Sequence, residues 1–282
     1  MKKILVTGTS GFVGNCIAQY MFRQGYQVWG TMNNRHIEAP FHLVKCDLTQ
    51  KINIIKKFDV IVHIAGVVPY KENKFSKFKV NNIDIMDNVI NFAIKMGIKR
   101  IIYFSTIGIY GEFRSEIIDE NSDVINPGSY GITKYVAECL LRSEQNIESI
   151  SLRMPGIIGK GSRGVWLADT VEKFKNGQDV KIYSPEFITK NFVWIDDLAK
   201  FIVQLIEMDE WKYDILTLAC SEGASIRQIV TKIKDLTKSK SKIIIDDTLR
   251  KPFCLDNRRA VEMGYVSKNP IEIVRGYIKC AI

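Results

Sequence analysis

Met1-Lys2-Lys3-Ile4-Leu5-Val6-Thr7-Gly8-Thr9-Ser10-Gly11-Phe12-Val13-Gly14 decides how the rest of this chain is read. Ile4–Val6 is a short apolar run, and Gly8, Gly11 and Gly14 follow at intervals of three. A turn that tight needs a residue able to take positive φ. Glycine also lets an anion lie against the backbone, and a helix N-terminus behind it offers free N–H groups and the positive end of a dipole. Strand, glycine turn and helix start together read as a cradle for a dinucleotide pyrophosphate. Gly8, Ser10, Gly11, Phe12, Val13 and Gly14 are expected to line it. The helix is expected over Phe12–Gln24, with Val13, Ile17, Tyr20 and Met21 on one face and Gly25 as its C-terminal glycine.

Further apolar runs at Gln27–Trp29, His42–Val44, Val60–Ile64, Ile101–Phe104 and Ile150–Leu152 read as buried strands, with helical patterns at Ile83–Met96 and Tyr130–Glu144. Short apolar strands alternating with helices predict a parallel sheet covered on both faces. The expected fold is α/β, a doubly wound parallel sheet of the Rossmann type with ligands at the carboxyl ends of its strands. Residues 156–164 read as a glycine-rich loop, and lysine and loop content rise beyond it. Ser225 is placed to cap a helix whose Ile226, Ile229, Val230 and Ile233 share a face. The expected division is a dinucleotide-binding domain over 1–155, with a return segment at about 192–220, and a smaller C-terminal substrate-binding lobe from 156–191 and 221–282.

Composition narrows the function classes. The chain has 282 residues, 46% hydrophobic and 25% charged, which is ordinary for a globular protein with a sizeable core. No apolar run reaches the length of a membrane span, and the run after Lys3 breaks at Thr7-Gly8, too early for a signal sequence. The expectation is a cytoplasmic protein without membrane contact. A net charge of +9 raises nucleic acid as a partner, but no block of five like charges and no aromatic-interleaved basic stripe supports it. The six cysteines form no Cys-x-x-Cys, and the three histidines do not stand at zinc-ligand spacing from them, so no metal site is expected.

Tyr130-Gly-Ile-Thr-Lys134 places a phenol and an ammonium on one helical face. A neighbouring cation favours phenolate, and a tyrosine so tuned can take a proton from a hydroxyl while hydride leaves the adjacent carbon. Tyr70 and Lys74 have the same spacing, but only Tyr130 lies downstream of a strand ending Phe104-Ser-Thr-Ile-Gly-Ile-Tyr-Gly111.

On these motifs the chain resembles the extended short-chain dehydrogenase/reductases, the NAD-dependent epimerase/dehydratase family, over nearly its whole length. The resemblance implies Thr106, Tyr130 and Lys134 as catalytic residues, with Ser105 as the alternative hydroxyl and Thr106 bonding the reacting oxygen. It implies cofactor contacts from Asp47 and Leu48 at the adenine, from Ala65 and Gly66 past the nicotinamide ribose, and from Asn82, Ser105, Tyr130, Lys134 and Pro155. It also implies a nucleotide-sugar substrate, contacted by Thr106 and Tyr130 and by the cations Lys190 and Arg250, and a homodimer formed through the helices at Ile83–Met96 and Tyr130–Glu144.

Departures from the family pattern refine the expectation. NAD-preferring members carry an acid at the end of the second strand, whereas Val28-Trp-Gly-Thr-Met-Asn-Asn-Arg35 has none, and Arg35 is suited to a 2′-phosphate. The expected cofactor is therefore NADP or NAD, with NADP favoured. Ile107-Gly108 stands where the dehydratases have Asp-Glu, which disfavours elimination of water. A 4-epimerase or 4-reductase of a nucleotide-diphosphate sugar is the leading expectation. The alternatives are an NADPH-dependent reductase of a small ketone or aldehyde, and a non-catalytic NADP-sensing module.

Overall fold

The computed structural model of the chain describes residues 1–69, 74–248 and 251–281. The chain divides into two compact units. The first comprises Met1–Glu112, Asp123–Arg153 and Ala199–Leu216. Its centre is a seven-stranded sheet of β1 (Lys3–Val6), β2 (Gln27–Met32), β3 (His42–Lys45), β4 (Val60–His63), β5 (Arg100–Thr106), β6 (Glu148–Met154) and β7 (Ile215–Thr217). The order is β7-β6-β5-β4-β1-β2-β3, and β1 pairs in parallel with both β2 and β4. The pairs β2·β3 and β4·β5 are parallel as well. The order reverses at β1, so the carboxyl ends of β1 and β4 flank the topological switch point of a doubly wound sheet.

Helices α1 (Phe12–Arg23), α2 (Ile85–Met96) and α3 (Ser129–Ser143) belong to this unit. One sheet face carries Leu5, Ile61, Ile101 and Tyr103 against Met86, Val89, Ala93, Ala137 and Leu141 in a single core cluster. The helical pattern expected from Ile83 begins differently. A π-helical stretch, Lys79–Asp84, runs directly into α2. Asn82 sits inside it and is buried.

The second unit comprises Phe113–Ser122, Met154–Leu198 and Thr217–Ile282. Helices α4 (Trp166–Lys175), α6 (Ile226–Thr237) and α8 (Pro270–Ala281) share a core of Leu167, Phe174, Ile229, Ile233, Ile273 and Tyr277. Helix α5 (Ile195–Glu207) begins in this unit and belongs from Ala199 onward to the first, and α7 (Arg258–Glu262) precedes α8. Ser225 caps α6 through the N–H of Gln228, and the Gln228 side chain closes the box on the Ser225 N–H. Residues expected as a glycine-rich loop include a strand instead. Gly156–Ile158 pairs in parallel with Phe192–Trp194, a pairing with residues more than thirty positions away that local composition does not reveal. Strand Ile117–Ile118 pairs with Cys254–Leu255, and Phe113 stacks on Phe253, which is why Phe113–Ser122 belongs to this unit.

Candidate active site

The glycine turn follows β1 as the sequence predicts. Gly8 has φ +74°, and a Cβ there would meet the Ala65 backbone at 2.9 Å. A Cβ on Gly14 would lie 2.4 Å from the Gly8 carbonyl oxygen, so α1 packs backbone to backbone on the turn. Gly11 is the N-cap of α1; no side chain caps the helix and its first turn holds no acid. The helix therefore presents its first N–H groups and its dipole to an incoming anion. A cradle emptied of side chains, ending in an uncapped helix, fits a dinucleotide pyrophosphate.

Thr7 locks this turn to the end of β4. Its hydroxyl accepts the N–H groups of Ile64 and Ala65, both at 3.0 Å, so its own proton points to His63 Nδ1 at 2.8 Å. The His63 proton then resides on Nε2. Burial, helped by the charge of Lys134, pushes the imidazole down to about 3, so it stays neutral at working pH. Sequence reading passed over His63 because it lies in an apolar strand.

Helix α3 carries the phenol and the ammonium. A Cβ on Gly131 would fall 2.1 Å from the Gly108 carbonyl oxygen, so the helix start rests directly on the turn Ile107–Tyr110 that follows β5. This close approach sets Tyr130 beside Thr106: a Cβ on Gly108 would touch Thr106 Oγ1 at 3.4 Å and Tyr130 Cδ1 at 3.8 Å. The Thr106 hydroxyl also accepts the N–H of Gly108 at 3.1 Å. Lys134 is buried, its Nζ 4.3 Å from the centre of the Tyr103 ring, and no hydrogen-bond acceptor meets it among the described residues. The Tyr103 hydroxyl is buried without a hydrogen-bond partner among the described residues. A buried ammonium facing only a ring leaves donors for an added ligand's oxygens.

The electrostatics differ from the expectation in one respect. Tyr130 is pushed up to about 12, chiefly by burial, with the Thr106 hydroxyl acting against it. Lys134 is itself pushed down to about 7 by burial, partly offset by Glu138. Desolvation of both groups outweighs their mutual effect, so the free protein holds the phenol protonated.

Ser105 points elsewhere. Its hydroxyl donates to Glu138, which also takes Arg153 Nη2 at 2.7 Å and Nε at 3.2 Å. Arg153 Nη1 donates to the Tyr110 hydroxyl at 3.1 Å. The Glu138 and Arg153 side chains are 0% and 4% exposed. The sequence reading missed this group. The available signals were Glu138 on the same helical face as Tyr130 and Lys134, and a lone arginine inside an apolar strand.

The other expected site residues lie as follows. Asn82 accepts the Val67 N–H at 3.2 Å and donates to Thr133 Oγ1 at 3.0 Å, tying the loop after β4 to α3. Its Oδ1 lies 2.9 Å from where a Gly66 Cβ would stand. Asp47 is exposed and holds the Thr49 N–H and hydroxyl at 3.0 and 2.8 Å, while Leu48 is buried with its carbonyl on Asn88 Nδ2 at 2.9 Å. Ala65 and Gly66 follow β4, and Ser10, Phe12 and Val13 are half-buried around the turn. Arg35 is exposed beyond the end of β2, and no acid precedes it on that strand. Pro155 and Lys190 belong to the second unit, Pro155 buried and Lys190 half-buried with its carbonyl on the Cys220 N–H at 2.9 Å. Arg250, and Tyr70 of the alternative pair, lie outside the described residues. Among the described residues no helix is long and apolar enough to cross a membrane, and no group of three or more potential metal ligands gathers.

Known proteins resemble this chain over nearly its whole length. The chain is 26% identical over 297 residues to a Methanocaldococcus jannaschii protein assigned as a UDP-glucose 4-epimerase, covering 97% of this chain and 95% of that one. It shares the fold of the UDP-glucose 4-epimerase of Thermotoga maritima, solved with UDP-glucose, at a TM-score of 0.84 and 20% identity over 99% of this chain and 98% of that one. A UDP-glucuronic acid 4-epimerase from Bacillus cereus, solved with NAD, superposes with a TM-score of 0.84 at 19% identity, again over 99% and 98%. Residues 4–218 match the profile of the NAD dependent epimerase/dehydratase family, and the chain belongs to that family.

Proposed function

We propose that this protein is an NAD-dependent 4-epimerase of a nucleotide-diphosphate sugar. The observation that carries the reading is Thr106 and Tyr130 flanking Gly108, with the buried ammonium of Lys134 one turn along α3, in the unit that also holds the glycine cradle. Thr106 and Tyr130 are read as the two hydroxyls that meet the oxygen of a secondary alcohol. The phenol is the group that moves the proton at that oxygen, and Thr106 keeps the oxygen in line. When bound, the nicotinamide supplies the hydride acceptor and donor at the carbon bearing the oxygen. Gly8, Gly11 and Gly14 leave room for the pyrophosphate, the α1 N-terminus meets its charge, and Lys134 offers its donors to the ribose. Tyr130 is an acid in the free protein, so taking a proton from the sugar depends on added positive charge beside it.

The assay is incubation with NAD and a panel of UDP-hexoses, reading C4 epimers by NMR. Conversion by the wild type and none by Tyr130→Phe is the expected result. No epimer from any member of the panel removes the reading. Reduction of a 4-keto sugar with stoichiometric loss of NADPH identifies the 4-reductase. One observation favours NADP as a second reading for the cofactor, namely exposed Arg35 with no acid on β2. The second unit is read as the substrate lobe, with Lys190 as its cation for the diphosphate. A cytoplasmic homodimer formed through α2 and α3 completes the proposal. Ile94 of α2 is 47% exposed, the kind of apolar side chain a second copy would cover. Sedimentation at micromolar concentration tests the dimer.

A further inference from the structure

We propose that Glu138 is a positioning residue for the site: a buried carboxylate, clamped by Arg153 and Ser105, that sets the charge on Lys134 and fixes the strand end carrying Thr106. The inference deepens the reading of Tyr130, Thr106 and Lys134 as acid/base machinery, and rests on it.

The geometry is that of one helix face against two strands. Tyr130, Lys134 and Glu138 succeed one another at one-turn intervals on α3. Tyr103 and Ser105 project from β5 toward that face, Lys134 over the first and Glu138 bonded to the second. Arg153 from β6 meets Glu138 through two nitrogens and reaches the Tyr110 hydroxyl with a third. Ser105 is the residue immediately before Thr106, so a carboxylate that holds Ser105 also holds the backbone from which Thr106 reaches Tyr130. Among the described residues, the titratable groups that touch Lys134 or interact with its charge are His63 of β4, Tyr103 of β5 and Glu138 of α3. Glu138 is the only anion among them. Its charge raises Lys134 against the burial that lowers it, and His63 is neutral and cannot compensate.

A merely structural ion pair makes a different prediction from a positioning one. If Glu138 only holds α3 in place, any substitution loosens the site and admits water. Lys134 then titrates closer to an ordinary lysine in every variant. If Glu138 sets the charge, E138Q lowers Lys134 further and R153Q, which leaves the carboxylate unpaired, raises it.

The test is an NMR titration of protein labelled with ε-¹³C-lysine, with Lys134 assigned through Lys134→Arg, recorded with and without added NAD. In the free wild type the midpoint is expected at about 7. E138Q moves it down by about one pH unit or more, R153Q moves it up, and the double variant E138Q/R153Q lies between E138Q and the wild type. If the single variants do not fold, the double variant decides. A midpoint below the wild type supports the proposal; one unchanged or raised overturns it. In turnover, E138Q loses kcat with little change in KM for the sugar nucleotide, and the loss is greater at pH 8 than at pH 6. E138D, which keeps the charge, restores most of it. An E138Q loss equal at both pH values, or a failure of E138D to recover, overturns the proposal. The titration needs no substrate, so it judges Glu138 even where the turnover assay refutes the reaction.

Discussion

At the start of α1 an incoming anion meets backbone alone: an uncapped helix end, and glycines whose missing side chains leave the space open. Along α3 the arrangement is reversed. There charged side chains are buried with the main chain, Lys134 over the Tyr103 ring and Glu138 paired with Arg153. The first region is specified by absences at fixed spacing, so its rule is local. The second is specified by partners, and each partner comes from another element. Energetically the first needs close approach and the second needs compensated charge.

The largest effect expected in either region is chemical. Tyr130→Phe removes the proton carrier but keeps the ring against Phe78, 5.8 Å away between centroids. Turnover is expected to fall on the order of 1000-fold, about 4 kcal/mol at the barrier, with NAD affinity and melting temperature nearly unchanged. Steady-state kinetics beside a cofactor titration measure both. Near-normal turnover in the variant moves the acid/base role away from α3.

Two glycine substitutions separate the regions directly. Gly14→Ala places a methyl 2.4 Å from one carbonyl oxygen, and Gly131→Ala places one 2.1 Å from another. Each is expected to cost about 3 kcal/mol of stability, because backbone cannot step aside as a side chain can. Their functional signatures should differ. Gly14→Ala damages cofactor affinity first, whereas Gly131→Ala separates Tyr130 from Thr106 and damages kcat first. Identical signatures would mean that the cradle and the α3 face are mechanically one object.

The same contrast explains what could be read in the sequence. The strand, glycine turn and α1 were legible because spacing and hydrophobic period are properties of consecutive residues. Tyr130 and Lys134 were legible because both lie on one helix. Glu138 and Arg153 were not, since Ser105 and Arg153 reach Glu138 from 33 and 15 positions away and Arg153 finds Tyr110 across 43. The π-helical entry to α2 has the same origin, because Asn82 is held by Val67 and Thr133 and not by its neighbours in sequence. The direction of the Tyr130 shift needed burial, which no local pattern supplies. Gly131 reads in sequence as a poor helix residue, and only the carbonyl of Gly108 shows why it stands there.

His63 joins the two regions and gives a smaller, pH-dependent effect. Its folded pKa of about 3 lies below the ordinary 6.5, so the unfolded chain binds more protons between those values. The stability that neutral His63 contributes is fully present above pH 6.5 and is lost as the pH falls toward 3. Going from pH 7 to pH 5 it should account for about 2 kcal/mol of destabilisation. His63→Asn keeps an acceptor for the Thr7 hydroxyl but cannot titrate. Urea unfolding at the two pH values should show that part of the loss disappear. An undiminished loss would assign the acid sensitivity to another group.

The smallest effect is expected at Arg35, and it tests how far the backbone-built region can discriminate. A cradle of glycines and N–H groups contacts the pyrophosphate, which NAD and NADP share, so it cannot tell them apart. Discrimination has to come from side chains at the end of β2, and this chain offers no acid there to bind ribose hydroxyls. Arg35 is exposed, so Arg35→Ala should change stability by no more than about 0.5 kcal/mol. If NAD is the working cofactor, its dissociation constant should stay the same in the variant. If Arg35 meets a 2′-phosphate, NADP affinity alone should fall, by about tenfold for one charge-assisted contact at low salt, and the loss should shrink as salt screens the pair. Calorimetric titration of both cofactors into wild type and variant separates these outcomes. A wild type that binds both cofactors equally, with neither affected by Arg35→Ala, would show that selection between them does not pass through this strand end at all.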